Sequence, residues 1–264
     1  MIDAVLGSLF RVLKRPSLVF PGIFLTLSQV AIWSVFFYAN DTLPRFFYEL
    51  FVLNIFPNAG FFETIFLLVV ANPVEFLVLG FFALLWIAAT LWMIFALVLA
   101  VEKKEPPLKS VFGSLNHIGK ILGLSVFYGI AMLLFAVAML FFIWLFILGG
   151  IFGSIGLVAT ILWLLVGVFI YFKLLVLPVE FFLGDEKITV ALKKSWDWTD
   201  KRLISTIVFA ALAMLVSNII VSAGILVSDI VAIDAVSIFV VFLAMSFGSA
   251  YFGIALVAYY SSGQ

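Results

Sequence analysis

From Pro21 onward the chain alternates long apolar runs with short charged interruptions. A helix that crosses a bilayer needs about 20 mostly apolar residues. Six runs reach that scale: Pro21–Tyr38, Pro73–Val101, Ile121–Leu148, Ile151–Leu177, Leu203–Val227 and Val236–Tyr260. Several ends are marked in the residues themselves. Asn72-Pro73-Val74-Glu75 sets a capping amide, a first-turn proline and an early carboxylate in the order that opens a helix. Gly149-Gly150 splits one apolar run into two spans joined by a tight hairpin. Glu102-Lys103-Lys104-Glu105-Pro106-Pro107 ends the second span with charges and two helix breakers. The expected fold is all-α, a polytopic membrane protein of six transmembrane helices.

The stretch Asp41–Ala71 is apolar but broken by Arg45, Glu49, Pro57, Asn58, Gly60 and Glu63. It reads as two short helices, about Leu43–Leu53 and Phe61–Ala71, joined by a turn at Pro57-Asn58-Ala59-Gly60. Such a pair fits an amphipathic element lying on the outer leaflet. It also fits a re-entrant element lining a cavity, because irregular backbone survives at membrane depth only where protein covers it.

Charge is sorted by side. Arg11, Lys14 and Arg15 precede the first span, and Lys103, Lys104, Lys109 and Lys120 separate the second from the third. Lys187, Lys193, Lys194, Lys201 and Arg202 separate the fourth from the fifth. The opposite side carries Arg45 with Asp41, Glu49, Glu63, Glu75, Asp229 and Asp234. Basic loops remain in the cytoplasm, so the reading is a multi-pass cell-membrane protein with both termini cytoplasmic. Reading residues 41–72 as a further span would place Lys103, Lys104 and Lys109 outside, against that rule.

Three serines expose an internal repeat. Val5-Leu6-Gly7-Ser8-Leu9 matches Val111-Phe112-Gly113-Ser114-Leu115, and more loosely Leu192-Lys193-Lys194-Ser195-Trp196. A lysine follows each serine by six residues: Lys14, Lys120 and Lys201. Each unit reads as a cytoplasmic amphipathic helix followed by a transmembrane hairpin. One membrane domain, 1–264, is therefore expected to hold repeat 1 (1–102, with the outer insertion 41–72), repeat 2 (103–178) and repeat 3 (179–264). Every unit starts on the same side, so the repeats are parallel, not inverted as in many carriers.

Within Ile188–Lys201, the residues Ile188, Ala191, Leu192, Ser195, Trp196 and Thr199 share one helical stripe. Lys193, Lys194, Asp197, Asp200 and Lys201 take the opposite arc. Trp196 and Trp198 suit the headgroup level. With Lys14, Lys120, Lys193, Lys194 and Lys201 they are candidate lipid-headgroup contacts, each lysine attracting anionic lipid by about 1 kcal/mol. The plainer role of these lysines is to set topology and helix depth.

A resemblance joins this reading. Lys14-Arg15-Pro16-Ser17 followed by Pro21 carries it, as does Leu177-Pro178-Val179-Glu180 running through Gly184-Asp185-Glu186 to Ala191-Leu192-Lys193-Lys194-Ser195-Trp196. The chain resembles uncharacterised six-span prokaryotic proteins similar to the membrane domain attached to some glycerophosphodiester phosphodiesterases. The resemblance implies architecture. In that family the phosphodiesterase chemistry belongs to a separate soluble domain, which this sequence lacks.

Composition agrees with a lipid solvent: 66% of residues are hydrophobic and 11% charged, far from the half-apolar, quarter-charged average of soluble domains. The run Ser17–Tyr38 is too long for the core of a cleavable signal. The chain has no cysteine and one histidine, His117, so neither thiol chemistry nor a zinc site is expected. Asp229 and Asp234 are five apart and read as end caps of an outer turn. No catalytic, metal, cofactor or nucleic-acid motif stands out.

The middles of the six runs carry no ionisable group, which argues against ion-coupled transport. Lys173 and Glu180 sit near the cytoplasmic end of the fourth run, about two helical turns apart, where they can snorkel outward. Asn218, with Ser217 and Ser222, is the most polar stretch inside a span and reads as an interhelical contact or a polar path. Small residues four apart, Gly119/Gly123, Gly149/Gly153, Ala244/Gly248 and Ser249/Gly253, point to close helix packing. The expected function is a non-enzymatic membrane scaffold or assembly partner of itself or another membrane protein, in contact with lipids. The alternative is a passive conduit or a lipid-handling protein.

Overall fold

The computed structural model describes residues 2–39, 73–184, 186–231 and 234–263. The expected outer pair at 43–53 and 61–71, and the cap at Asn72, lie outside these residues. The described chain is helical and contains no strand. In order it forms α1 (Ile2–Lys14), α2 (Phe20–Ala39), α3 (Pro73–Val101), α4 (Pro107–Ser114), α5 (Ile118–Ile147), α6 (Gly150–Leu174), α7 (Leu177–Leu183), α8 (Ile188–Asp200), α9 (Leu203–Ile230) and α10 (Asp234–Ser261). Among the described residues five helical stretches are long and apolar enough to cross a membrane, and α1 with the start of α2, bent by 109° at the break between them, reaches that length only if the two are counted together. The chain is an all-α polytopic membrane protein.

The breaks follow local chemistry. Pro107 opens α4 at a position whose N–H would have no partner in any case. Gly149 and Gly150 both take positive φ, 73° and 58°, which a Cβ would resist; two glycines are what let α5 and α6 meet in so short a turn. Pro178 has no N–H to offer the Leu174 carbonyl, so the fourth span breaks after Leu174 and resumes as α7.

The helices fall into two compact units, one of Met1–Gln29, Ala88–Leu124 and Tyr171–Gln264, the other of Val30–Ile87 and Ser125–Ile170. In the first, α10 is the central element: from Ala250 to Tyr260 every residue except Phe252 is buried. Lipid is as apolar as leucine, so helices gain contact there through close approach and hydrogen bonds rather than water exclusion. Gly22 on α2 supplies one close approach. A Cβ built on it would overlap the Ser246 carbonyl oxygen and lie 2.9 Å from the Ala250 Cβ. One turn on, Ser246 Oγ donates to Thr26 Oγ1 at 3.1 Å. The α9–α10 hairpin is closed similarly. Ser217 Oγ donates to the Gly248 carbonyl at 3.0 Å, Gly224 abuts Ala244, and Ser237 Oγ donates to the Ser228 carbonyl at 3.1 Å. Of the small-residue pairs singled out in the sequence, Ala244, Gly248 and Gly253 therefore sit at helix contacts, the last against Leu97. Among the described residues Gly119 and Gly123 have no neighbour within 4 Å of where a Cβ would stand.

In the second unit α5 and α6 pair through aromatic rings and glycines. Phe135 stacks on Trp163 at 5.4 Å, and the Trp163 indole N–H donates to the Phe135 carbonyl at 3.1 Å. Gly167 makes room for the Phe135 ring, and Gly156 for the Phe142–Phe146 backbone.

Candidate functional site

The densest polar chemistry lies where the end of α6 meets α7, α8 and the start of α5. Lys173 occupies the last turn of α6 and is 0% exposed. An ammonium so buried needs a partner, because desolvation of an unpaired charge costs several kcal/mol. Its Nζ forms an ion pair with Asp200 Oδ1 at the end of α8, and Asp200 is 57% exposed. The Trp196 ring covers the same ammonium at 4.9 Å, a cation–π arrangement. Ser195 Oγ donates to the Lys173 carbonyl at 3.0 Å, so one residue of α6 is held through both backbone and side chain. Lys173 thus faces inward under α8 instead of snorkelling outward. Three side chains of one amphipathic helix converge on it, and α8 brings them there.

A second pairing fixes the other end of α8. Lys194 lies 2.7 Å from Glu186 and 3.8 Å from Glu180. The bond to Glu186 raises the Lys194 ammonium above the usual lysine value, and the Glu186 charge adds to this. Glu180 is buried on α7, beside Phe182, which stacks on Phe95 of α3 at 4.4 Å. Glu180 likewise does not snorkel outward: the break before Pro178 turns α7 inward. Lys120, at the start of α5, donates to the Gly184 carbonyl at 3.2 Å and approaches the Phe181 ring at 5.8 Å.

The tryptophans divide. Trp196 is partly exposed above Lys173. Trp198 turns toward the chain's end, packing on Tyr259 and Tyr260, each with centroids 5.4 Å away, and under the Arg202 guanidinium at 5.0 Å. Tyr259 in turn stacks on Phe209 at 4.1 Å. Lys193 on α8, Lys201 just past its end and Lys14 at the end of α1 are exposed. His117 is exposed and rests edge-on against Phe95 at 5.1 Å. Asp229 is exposed at the far end of α9, and the side chain of Asp234 lies outside the described residues.

On α9, Ser217 makes the interhelical bond described above, whereas Asn218 and Ser222 are exposed. The interhelical contact expected of Asn218 falls to its neighbour, because Ser217 is the residue on the α10-facing stripe with Ala213 and Gly224. Among the described residues no group of three or more His, Asp or Glu side chains is placed to hold a metal.

Sequence reasoning missed two features. The Lys173–Asp200 pair spans 27 positions and has no local signature. Buried small residues also precede each serine by four, Ala4, Ser110 and Ala191, and this signal was present in the sequence. Ser8, Ser114 and Ser195 are themselves buried, each on or at the end of a short helix that leads into a long apolar one.

No protein-family model matches the chain, and no curated protein or solved structure matches it either.

Proposed function

We propose that this protein is a non-enzymatic membrane scaffold that assembles with itself or with another membrane protein through the α5–α6 hairpin. One observation carries the reading. In the most apolar stretches of α5 and α6 only 6% of residues are buried by the chain, against 56% in α3 and 50% in α10. Two long helices are thus held to each other by Phe135, Trp163 and Gly167, and α5 meets Leu84 of α3 at Gly129, while most of their remaining surface is uncovered by the described residues. The polar groups of the spans support the same reading, since Ser217, Ser237, Ser246 and Thr26 are engaged in bonds between helices. In this reading the basic end faces the cytoplasm, and the chain is three parallel copies of short helix plus hairpin.

Photo-crosslinking side chains at Leu133 on α5 and Val158 on α6, both exposed, test the proposal in native membranes. The expected products are adducts to a second copy or to one recurrent membrane protein. Adducts to lipid alone would overturn the scaffold. A passive conduit is the second reading, supported by Asn218 and Ser222 standing exposed on α9. Leakage of a small solute from reconstituted vesicles, abolished by Asn218→Leu, would establish it instead.

A further inference from the structure

Aligned on their buried serines, the three short helices share an inner face and differ on the next arc. Four residues before the serine stand Ala4, Ser110 and Ala191, all buried. Six before it stand Ile2, Leu108 and Thr189, and two before it Leu6, Phe112 and Lys193. These positions fall on one arc beside the buried face, because a helix advances by 3.6 residues per turn. All six are exposed. On α1 and α4 the arc is apolar, with Leu6 at 49% exposure and Phe112 at 55%. On α8 it is polar and charged.

α1 therefore has three sides. Ala4, Val5, Ser8 and Val12 face the bundle, Ile2, Leu6, Phe10 and Leu13 form an exposed apolar stripe, and Arg11 and Lys14 are exposed with Asp3 on the remaining arc. α4 repeats the order, with Lys109 exposed beyond its apolar arc. A helix with an apolar stripe bordered by basic residues sits at the headgroup–acyl boundary. Direction agrees: α1 meets α2 at 109°, so it lies across a spanning α2 and not along it. Phe112 also touches Phe24 of α2, with ring centroids 5.9 Å apart, which makes the stripe continuous with an apolar span.

We infer that α1 and α4 are seated in the lipid interface on the basic side, with their apolar stripes among the acyl chains and Arg11, Lys14 and Lys109 at the headgroup phosphates, while α8 presents the corresponding arc to water. The occupant of the stripe is the leaflet itself. Charge complementarity between the basic border and the phosphates distinguishes it from an apolar protein partner. This moves lipid contact from Lys194, Trp196 and Trp198, which are engaged with Glu186, Lys173 and Tyr259, to two other helices. It does not depend on the scaffold reading.

The absence of cysteine makes the test direct. Leu6→Cys, Phe112→Cys and Lys193→Cys place a nitroxide at the same point of the three helices, and Phe10→Cys gives a second reading on α1. The full chain is reconstituted in vesicles of phosphatidylcholine and phosphatidylglycerol. Collision of each spin with oxygen, which concentrates in lipid, is compared with collision with a water-soluble nickel chelate. The expected result is oxygen dominance at 6, 10 and 112 and chelate dominance at 193. Chelate dominance at 6 or 112 would overturn the inference. So would a spin there immobilised and shielded from both reagents, since a second protein copy would then be covering the stripe.

Discussion

Tyr251 on α10 donates its hydroxyl hydrogen to the carbonyl of Val5 on α1 at 3.2 Å, joining positions 246 residues apart. Val5 stands three residues before Ser8, and Val111 stands three before Ser114. The Val111 carbonyl receives the Trp92 indole hydrogen at 3.1 Å. On the third short helix the bond runs from Ser195 to the Lys173 carbonyl. Each short helix is thus bonded to the long helix before it in cyclic order: α3 to α4, α6 to α8, α10 to α1. That closed order is the pattern the proposed threefold repeat would produce.

Tyr251→Phe keeps the ring and removes the donor. Net hydrogen bonds contribute about 0.5–1.5 kcal/mol, and a buried acceptor left unpaired adds to the loss. The expected outcome is a stability drop of about 1 kcal/mol, with a similar drop in Trp92→Phe. Thermal unfolding in detergent checks both; an unchanged midpoint in Tyr251→Phe would show that the Val5 contact contributes nothing.

Gly22 marks a tight helix crossing against backbone. Adding a Cβ there meets backbone oxygen and the Ala250 Cβ, neither of which is a flexible side-chain end. Overpacking of this kind costs about 1–3 kcal/mol, so Gly22→Val should unfold at a clearly lower temperature. Gly7→Ala is the control, since nothing lies within 4 Å of its added methyl. There the better helix propensity of alanine should raise stability by about 0.5–1 kcal/mol.

The Lys173–Asp200 pair should respond asymmetrically. Removing one member of a fully buried pair costs about 3–5 kcal/mol because the other is left uncompensated. Asp200 is half in solvent, so for Asp200→Ala the expectation falls to about 1–2 kcal/mol. Lys173→Met removes the buried charge itself and leaves an exposed carboxylate, which water solvates. The ordering expected in denaturant titration is wild type, then Lys173→Met close behind, then Asp200→Ala. The reverse order would mean that the ammonium is not the group needing compensation.

The spans were legible because length and apolarity are local properties: the six runs reappear as α2, α3, α5, α6, α9 and α10 within a few residues of their expected ends. The serine alignment also placed Ser8, Ser114 and Ser195 on short helices. What stayed hidden was which face meets which neighbour. Gly119 and Gly123 have the spacing of a packing face and meet no described neighbour within 4 Å of where a Cβ would stand, whereas Gly22 meets Ser246 and Ala250 across the bundle. Trp198 packs on Tyr259 and Tyr260 of α10, a contact that its own stretch of sequence does not announce. Such outcomes depend on tertiary neighbours that no local pattern encodes. Lys173 is the clearest case, because its inward turn is set by Asp200 and Trp196 on a different helix.

Topology gives the last prediction. In the proposed six-span arrangement the exposed Asp229 would lie on the side opposite Lys103 and Lys193. Basic residues resist translocation, so Lys103 and Lys193 are expected in the cytoplasm. Single cysteines at the three positions, treated with an impermeant maleimide in intact cells, should label only at Asp229→Cys. Lys103→Cys and Lys193→Cys should label after the membrane is opened. Labelling of Lys103→Cys from outside, with Asp229→Cys still labelled from outside, would require an odd number of crossings before Lys103 for a cytoplasmic N-terminus, and residues 41–72 would then have to traverse the bilayer. The same result would remove the common starting side of the three short helices, because α4 follows Lys103 directly. A single labelling experiment therefore decides both the span count and the parallel repeat.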